Sequence, residues 1–225
     1  MRQTNRWAVQ ALLAAALISP SGYAAADSSV RLHPLKAYTV EYRLEGQNAG
    51  TETYHLGDYG RRTATITDST MKVFGIENRT HTRTVTEGDK VTTYDLARKT
   101  ATTTTNPMHA QVAASMKGRD AQEAGMEMIR AMGFSPSGER DTIAGEACEI
   151  WTGQLGRTCF TRDAITLKVE TTMAGVTIRK VATAVRRGDA GPGSAYSAEA
   201  GVKAQEQPNI NDILKKMRPP KTGGG

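Results

Sequence analysis

The two cysteines of this chain, Cys148 and Cys159, stand symmetrically about Gly153-Gln154, and that spacing constrains the fold more than any other feature. The flanking segments, Ala147 to Thr152 and Leu155 to Phe160, fold back as a hairpin if Gly153-Gln154 forms a two-residue turn. In that register Cys148 sits directly opposite Cys159. Opposed Cα atoms in an antiparallel pair lie about 4.5–5.5 Å apart, within disulfide reach. The pair therefore predicts a strand hairpin, its register, a structural disulfide and an oxidising compartment.

The N-terminus points to the same compartment. Arg2 and Arg6 precede an apolar run from Trp7 to Ile18, and Ala24-Ala25-Ala26 offers a small-residue cleavage site before Asp27. Residues 1–26 thus read as a secretory signal, too short in its apolar run to span a bilayer comfortably. No cysteine follows that run, so no lipid anchor is expected. The expected location is the bacterial periplasm. The formal charge of +6 falls by two, to +4, when Arg2 and Arg6 leave with the signal. In an exported protein a basic balance favours an anionic membrane surface as partner and argues against nucleic acid.

Between Leu35 and Asn106 the residues alternate. Tyr38, Val40, Tyr42 and Leu44 share one face and Thr39, Glu41 and Arg43 the other, the pattern of a half-buried strand. Further runs follow at 51–56, 62–67, 76–86, 91–96 and 99–105, rich in threonine and separated by glycine-containing turns. Threonine favours the pleated state, and short turns between consecutive strands imply an antiparallel meander. After Pro107 the composition changes to Ala, Gln, Glu and Met. Residues 108–133 read as a helical insert: Asp120 is placed to cap a helix with Glu123 three residues on, and Gly133 to close it. Strands resume at Glu139–Ile143, through the cysteine hairpin, at 165–170 and at 176–185, the last with a bulge expected near Arg179-Lys180. Residues 27–186 form one domain on this reading. Residues 187–225 read as a flexible linker leading to a short amphipathic helix whose apolar stripe is Ile210, Ile213, Leu214 and Met217.

The fold class is mainly β, a single curled antiparallel sheet of about eleven strands with a helical lid insert, because a sheet that wide does not stay flat and open. A curled sheet beneath one helical cover encloses a cavity, and such cavities hold apolar ligands. The expected ligand-facing residues are Tyr38, Val40, Tyr42, Tyr54, Ile66 and Phe74 on the sheet, with Met126, Met128, Ile129 and Met132 on the insert. Methionine adapts its shape to irregular apolar surfaces.

The order of these elements resembles the half-barrel superfamily of periplasmic lipoprotein carriers, the LolA, LolB and RseB group. The run Ile143-Ala144-Gly145-Glu146-Ala147-Cys148-Glu149-Ile150-Trp151, followed by Cys159 and by Ile165 to Glu170, resembles uncharacterised exported proteins related to that group. The likeness covers residues 36–186. It implies an open half-barrel with helices as a lid, and a concavity that binds a lipid, an acyl chain or a lipidated protein. It equally admits a sensor or protein-docking module of the same fold without a lipid ligand. This chain differs from the group in its threonine-heavy sheet and in having three phenylalanines.

Catalytic patterns are missing from the sequence. His33, His55, His81 and His109 fall on separate elements, and neither a Gly-x-Ser-x-Gly elbow nor a His-Glu-x-x-His motif occurs. The reading is a binding protein rather than an enzyme, with no cofactor. A soft-metal site at Met126-Glu127-Met128 is disfavoured, because residues two apart point to different sides of a helix.

Overall fold

Threonine alternation and glycine turns carry the first half of the chain into a continuous meander. The structure, a computed structural model, describes residues 30–73, 75–173 and 176–207. The leader expected over 1–26, Phe74 and the apolar stripe expected over 210–217 lie outside the described residues. The strands are β1 (Tyr38–Gly46), β2 (Asn48–Gly57), β3 (Arg62–Val73), β4 (Ile76–Glu87), β5 (Lys90–Asp95) and β6 (Thr100–Thr105). Helices α1 (His109–Met116) and α2 (Ala121–Ala131) follow. The chain then forms β7 (Ser135–Ile143), β8 (Glu146–Gly153), β9 (Gly156–Phe160), β10 (Thr166–Met173), β11 (Val176–Arg187) and β12 (Ala204–Glu206). All twelve strands form one sheet in the order β12-β6-β5-β4-β3-β2-β1-β11-β10-β9-β8-β7. Every pairing is antiparallel except β12 on β6, which is parallel.

The sheet curls at its β7 flank. Cα atoms of β11 and β7 approach within 8 Å although four strand positions separate them; a flat sheet would hold them about 19 Å apart. Arg187 of β11 reaches Glu146 of β8 at 2.5 Å. The curl lets Cys148 and Cys159 pack in one cluster with Tyr38, Val40, Tyr42, Leu56, Ile165, Leu167 and Ala182, with Ile143 and Ile150 at its margin. Val40, Ile165 and Leu167 are wholly buried there.

Strands β3 to β6 are built differently. Their ladders align Thr65, Thr84, Thr93 and Thr102 in one row, Thr63, Thr86, Val91 and Thr104 in the next, and Thr67, Thr82, Asp95 and Thr100 in a third. The hydroxyls of Thr84 and Thr93 lie 3.2 Å apart. The opposite face carries Ala64, Val85, Tyr94 and Ala101, packed against Ala195, Tyr196 and Val202.

That packing corrects the linker expected after residue 186. Residues 188–203 cross the back of the sheet as a strap, and 204–206 add β12. Thr39 donates its hydroxyl to Asp189 O at 2.9 Å, Tyr196 donates to Ala190 O at 2.6 Å, and Arg83 donates to Ser194 O and Ser197 O, both at 2.9 Å. At Gly191 (φ +75°) an added Cβ would lie 2.2 Å from His55 Nδ1, so the strap passes over His55 only without a side chain.

Two further expectations shift. The bulge expected near Arg179-Lys180 sits at Thr183, where the register changes between Glu41 and Tyr42 and Thr183 donates its hydroxyl to Glu41 O at 3.1 Å. The cysteine hairpin turns at Gln154-Leu155, with Gly153 paired to Gly156. Both glycines are taken by close approaches: a Cβ at Gly156 would lie 2.0 Å from Glu170 O, and one at Gly153 would lie 2.7 Å from Gly133 O. The ladder therefore slips by two. Cys159 pairs with Ile150, and the disulfide closes on the diagonal to Cys148 with its Cα atoms 5.5 Å apart.

Candidate functional site

Asp120 starts α2 as its sequence position requires: its carboxylate accepts from the amides of Gln122 at 3.0 Å and Glu123 at 2.9 Å. At 3.6 residues per turn, Gln122, Met126 and Arg130 then share one face. That face looks onto alternate residues of β8, namely Ala147, Glu149 and Trp151, and onto Phe160 and Arg162 beyond it. Between them lies a cleft of about 480 Å³ that Arg140 of β7 also lines. A second cleft of about 350 Å³ shares Gln122, Ala147, Thr161 and Arg162 and continues toward Glu146, Asp163 and Arg187.

The cleft has an apolar floor and a cationic rim. Trp151 is buried, meets Phe160 edge-on at 6.3 Å and carries the Arg130 guanidinium 5.4 Å above its ring. Many arginines elsewhere are held by carboxylates: Arg61 by Asp58, Arg83 by Glu199, Arg179 by Glu45 and Glu170, and Arg187 by Asp163 and Glu146. Among the described residues Arg130, Arg140 and Arg162 make no ion pair, and all three line this cleft. Its one carboxylate is Glu149. The arrangement offers an aromatic surface for an alkyl or ring system and guanidinium forks for a carboxylate or phosphate.

The expected ligand-facing residues do not converge on one cavity. Tyr38, Val40, Tyr42 and Tyr54 belong to the packed core under the curl. The rings of Tyr38 and Tyr54 meet at a 45° tilt with centroids 5.8 Å apart, and Tyr42 donates its hydroxyl to Thr166 O at 2.7 Å. Burial pushes the phenols of Tyr38 and Tyr42 far above their ordinary range, and that of Tyr54 up to about 12. Ile66 lies at the margin of the second cluster, under the strap. Of the insert residues, Met126 lines the cleft, Ile129 is half-buried, and Met128 and Met132 are exposed. Sequence reasoning missed Trp151 and the three arginines. Trp151 is the only tryptophan after Trp7, and that rarity was the available signal.

Among the described residues no group of three or more His, Cys, Asp or Glu side chains could hold a metal ion, and no helix is long and apolar enough to cross a membrane.

No protein-family model matches the chain, and no curated protein matches it. Among solved structures it is similar to an uncharacterized conserved protein from Thermus thermophilus, at 8% identity and a TM-score of 0.49, over 77% of this chain and 93% of that one. It is similar to PNGF-II at 12% identity and a TM-score of 0.40, over 80% of this chain and 33% of that one. It is also similar to MucB at 14% identity and a TM-score of 0.41, over 76% of this chain and 61% of that one. MucB of Pseudomonas aeruginosa has also been solved in complex with MucA. These are likenesses of overall shape; the half-barrel rests on its own strand order and curl.

Proposed function

We propose that this protein is an exported, periplasmic binding protein that holds an amphiphile in the cleft beneath α2. The apolar part of the ligand lies on Trp151, Phe160 and Met126, and its anionic end meets Arg130, Arg140 and Arg162. The observation that carries this reading is the gathering of three unpaired arginines around one buried tryptophan. A cleft of this size and composition falls within the range of small-molecule sites. The disulfide between Cys148 and Cys159 supports the oxidising compartment. A lipid with a carboxylate or phosphate head is the ligand class that matches both halves of the site. A second reading, docking of a protein partner, is favoured by one observation: Met128 and Met132 project from α2 away from the cleft and stand exposed.

The test is extraction of protein purified from its own periplasm, followed by mass spectrometry. The expected result is a stoichiometric anionic amphiphile, absent from a folded Met126→Asp variant. Equal loading of the variant, or a protein as the only stoichiometric companion, contradicts the amphiphile reading.

A further inference from the structure

The opposite end of the insert carries a second opening. A groove of about 460 Å³ runs between α1 and the strand turns, walled by Val30, Leu32, Gly88, Ala110 and Ala113. Its charged rim is already satisfied: Asp58 pairs with Arg61 at 2.6 Å and Glu87 with Arg62 at 3.1 Å. Paired rim charges offer little to an ionic ligand, so the groove suits an apolar occupant.

The chain itself leads to such an occupant. Because β12 runs parallel to β6, the backbone leaves Gln207 heading toward Asn106; Gln207 N donates to Thr103 O at 2.9 Å. At that end Asn106 N donates to Asp89 O at 2.7 Å, beside Gly88 of the groove wall. Three strand spacings, about 14 Å, separate β12 from the end of β4. The six residues from Gln207 to Ile213 span up to about 20 Å when extended. Residues 208–225 therefore begin within reach of the groove. Ile210, Ile213, Leu214 and Met217 are spaced as one apolar face of a helix, with Asn211, Asp212, Lys215 and Lys216 off it. The residues preceding Val30, Asp27-Ser28-Ser29, are polar and do not match the groove.

We propose that the C-terminal apolar stripe docks into the groove beside α1 and latches the insert to the sheet. The inference stands apart from the amphiphile cleft, which involves neither the groove nor the C-terminus. The test uses the full chain carrying Ala113→Cys with Leu214→Cys, oxidised and mapped without reduction. A disulfide needs its two Cα atoms about 4.4–6.8 Å apart. The expected result is an intramolecular link between positions 113 and 214, with the link between Cys148 and Cys159 intact. A control with Ala113→Cys and Lys216→Cys, on the other side of the stripe, links several-fold less. Equal linking in the two variants, or links only between molecules, overturns the proposal. As a second measurement, Ile213→Asp with Leu214→Asp speeds amide exchange in α1 about tenfold; unchanged exchange also overturns it.

Discussion

Strands β3 to β6 and strands β7 to β11 share one sheet but are held by opposite means. In the first group one face is a threonine lattice and the other is covered by the strap. β-Propensity, cross-strand pairs and a few polar anchors supply the order there. In the second group the strands curl over β1, bury Ile165 and Leu167 completely, and add a covalent link. The cleft beneath α2 opens in the second group, where α2 meets β8 and β9. Width and curl divide the labour: the threonine half extends the sheet, and the apolar half holds shape and carries the cleft.

Truncating one side chain in each half separates the two modes of support most sharply. Leu167→Ala, at a wholly buried site, is expected to cost about 3–5 kcal/mol by urea denaturation. Thr84→Ala, in the lattice, is expected to cost about 0.5 kcal/mol. Similar losses at both sites would remove the distinction. Next in size is the disulfide. Replacing both cysteines by serine is expected to cost about 3 kcal/mol, the chain-entropy value for a loop of this length, seen as a lowered Tm. Amphiphile binding by the folded variant should persist, because the sulfurs only border the cleft.

The strap gives the third test. Arg83, with its side chain 11% exposed, holds Ser194 O, Ser197 O and Glu199. Arg83→Leu is expected to cost about 2 kcal/mol, since it deletes two charge-assisted bonds to strap carbonyls and the pair with Glu199. Limited proteolysis should then cut within 188–203 first. An uncut strap would show that Thr39, Tyr196 and β12 hold it without Arg83.

The smallest expected effect is on pH. Burial under the strap lowers the pKa of His55 from 6.5, opposed by the Asp189 and Glu41 carboxylates and reinforced by Arg186. Burial lowers that of His33 too. A lowered base binds protons more readily when unfolded, so stability is fully present above about 6.5 and declines as pH falls below it. Thr39 donates its one hydroxyl proton to Asp189 O, which leaves His55 Nδ1 as the donor to Thr39 Oγ1 at 2.8 Å. His55→Gln should flatten the decline between pH 7 and 5 in a series of thermal melts. An unchanged slope would assign it to His33.

Much of the frame was legible before the structure. Alternating threonines marked β3 to β6, Asp120 and Gly133 bracketed α2, and the cysteine pair named its own disulfide. What failed were features set by close approach. Gly153 looked like a turn residue, but Gly153 and Gly156 are both glycine because a neighbouring backbone crosses each of them. The strap hid for the same reason: Gly191 is read as flexible until His55 is placed beneath it. Helix phase separates the insert methionines. Met128 lies two residues from Met126, about 200° around the helix, and so faces outward. Arg130, Arg140 and Arg162 come from three separate elements, so no local pattern joins them.

Trp151 is the only tryptophan after Trp7, so emission from a chain starting at Asp27 reports on the cleft alone. Titration with monododecyl phosphate should give a saturable change in that emission. An uncharged dodecyl maltoside, and the variant Arg130→Gln with Arg162→Gln, should each bind at least about tenfold more weakly, the loss of one charge-assisted contact or more. No change in emission, or the same response to both amphiphiles in both proteins, would contradict an anion-reading apolar cleft beneath α2.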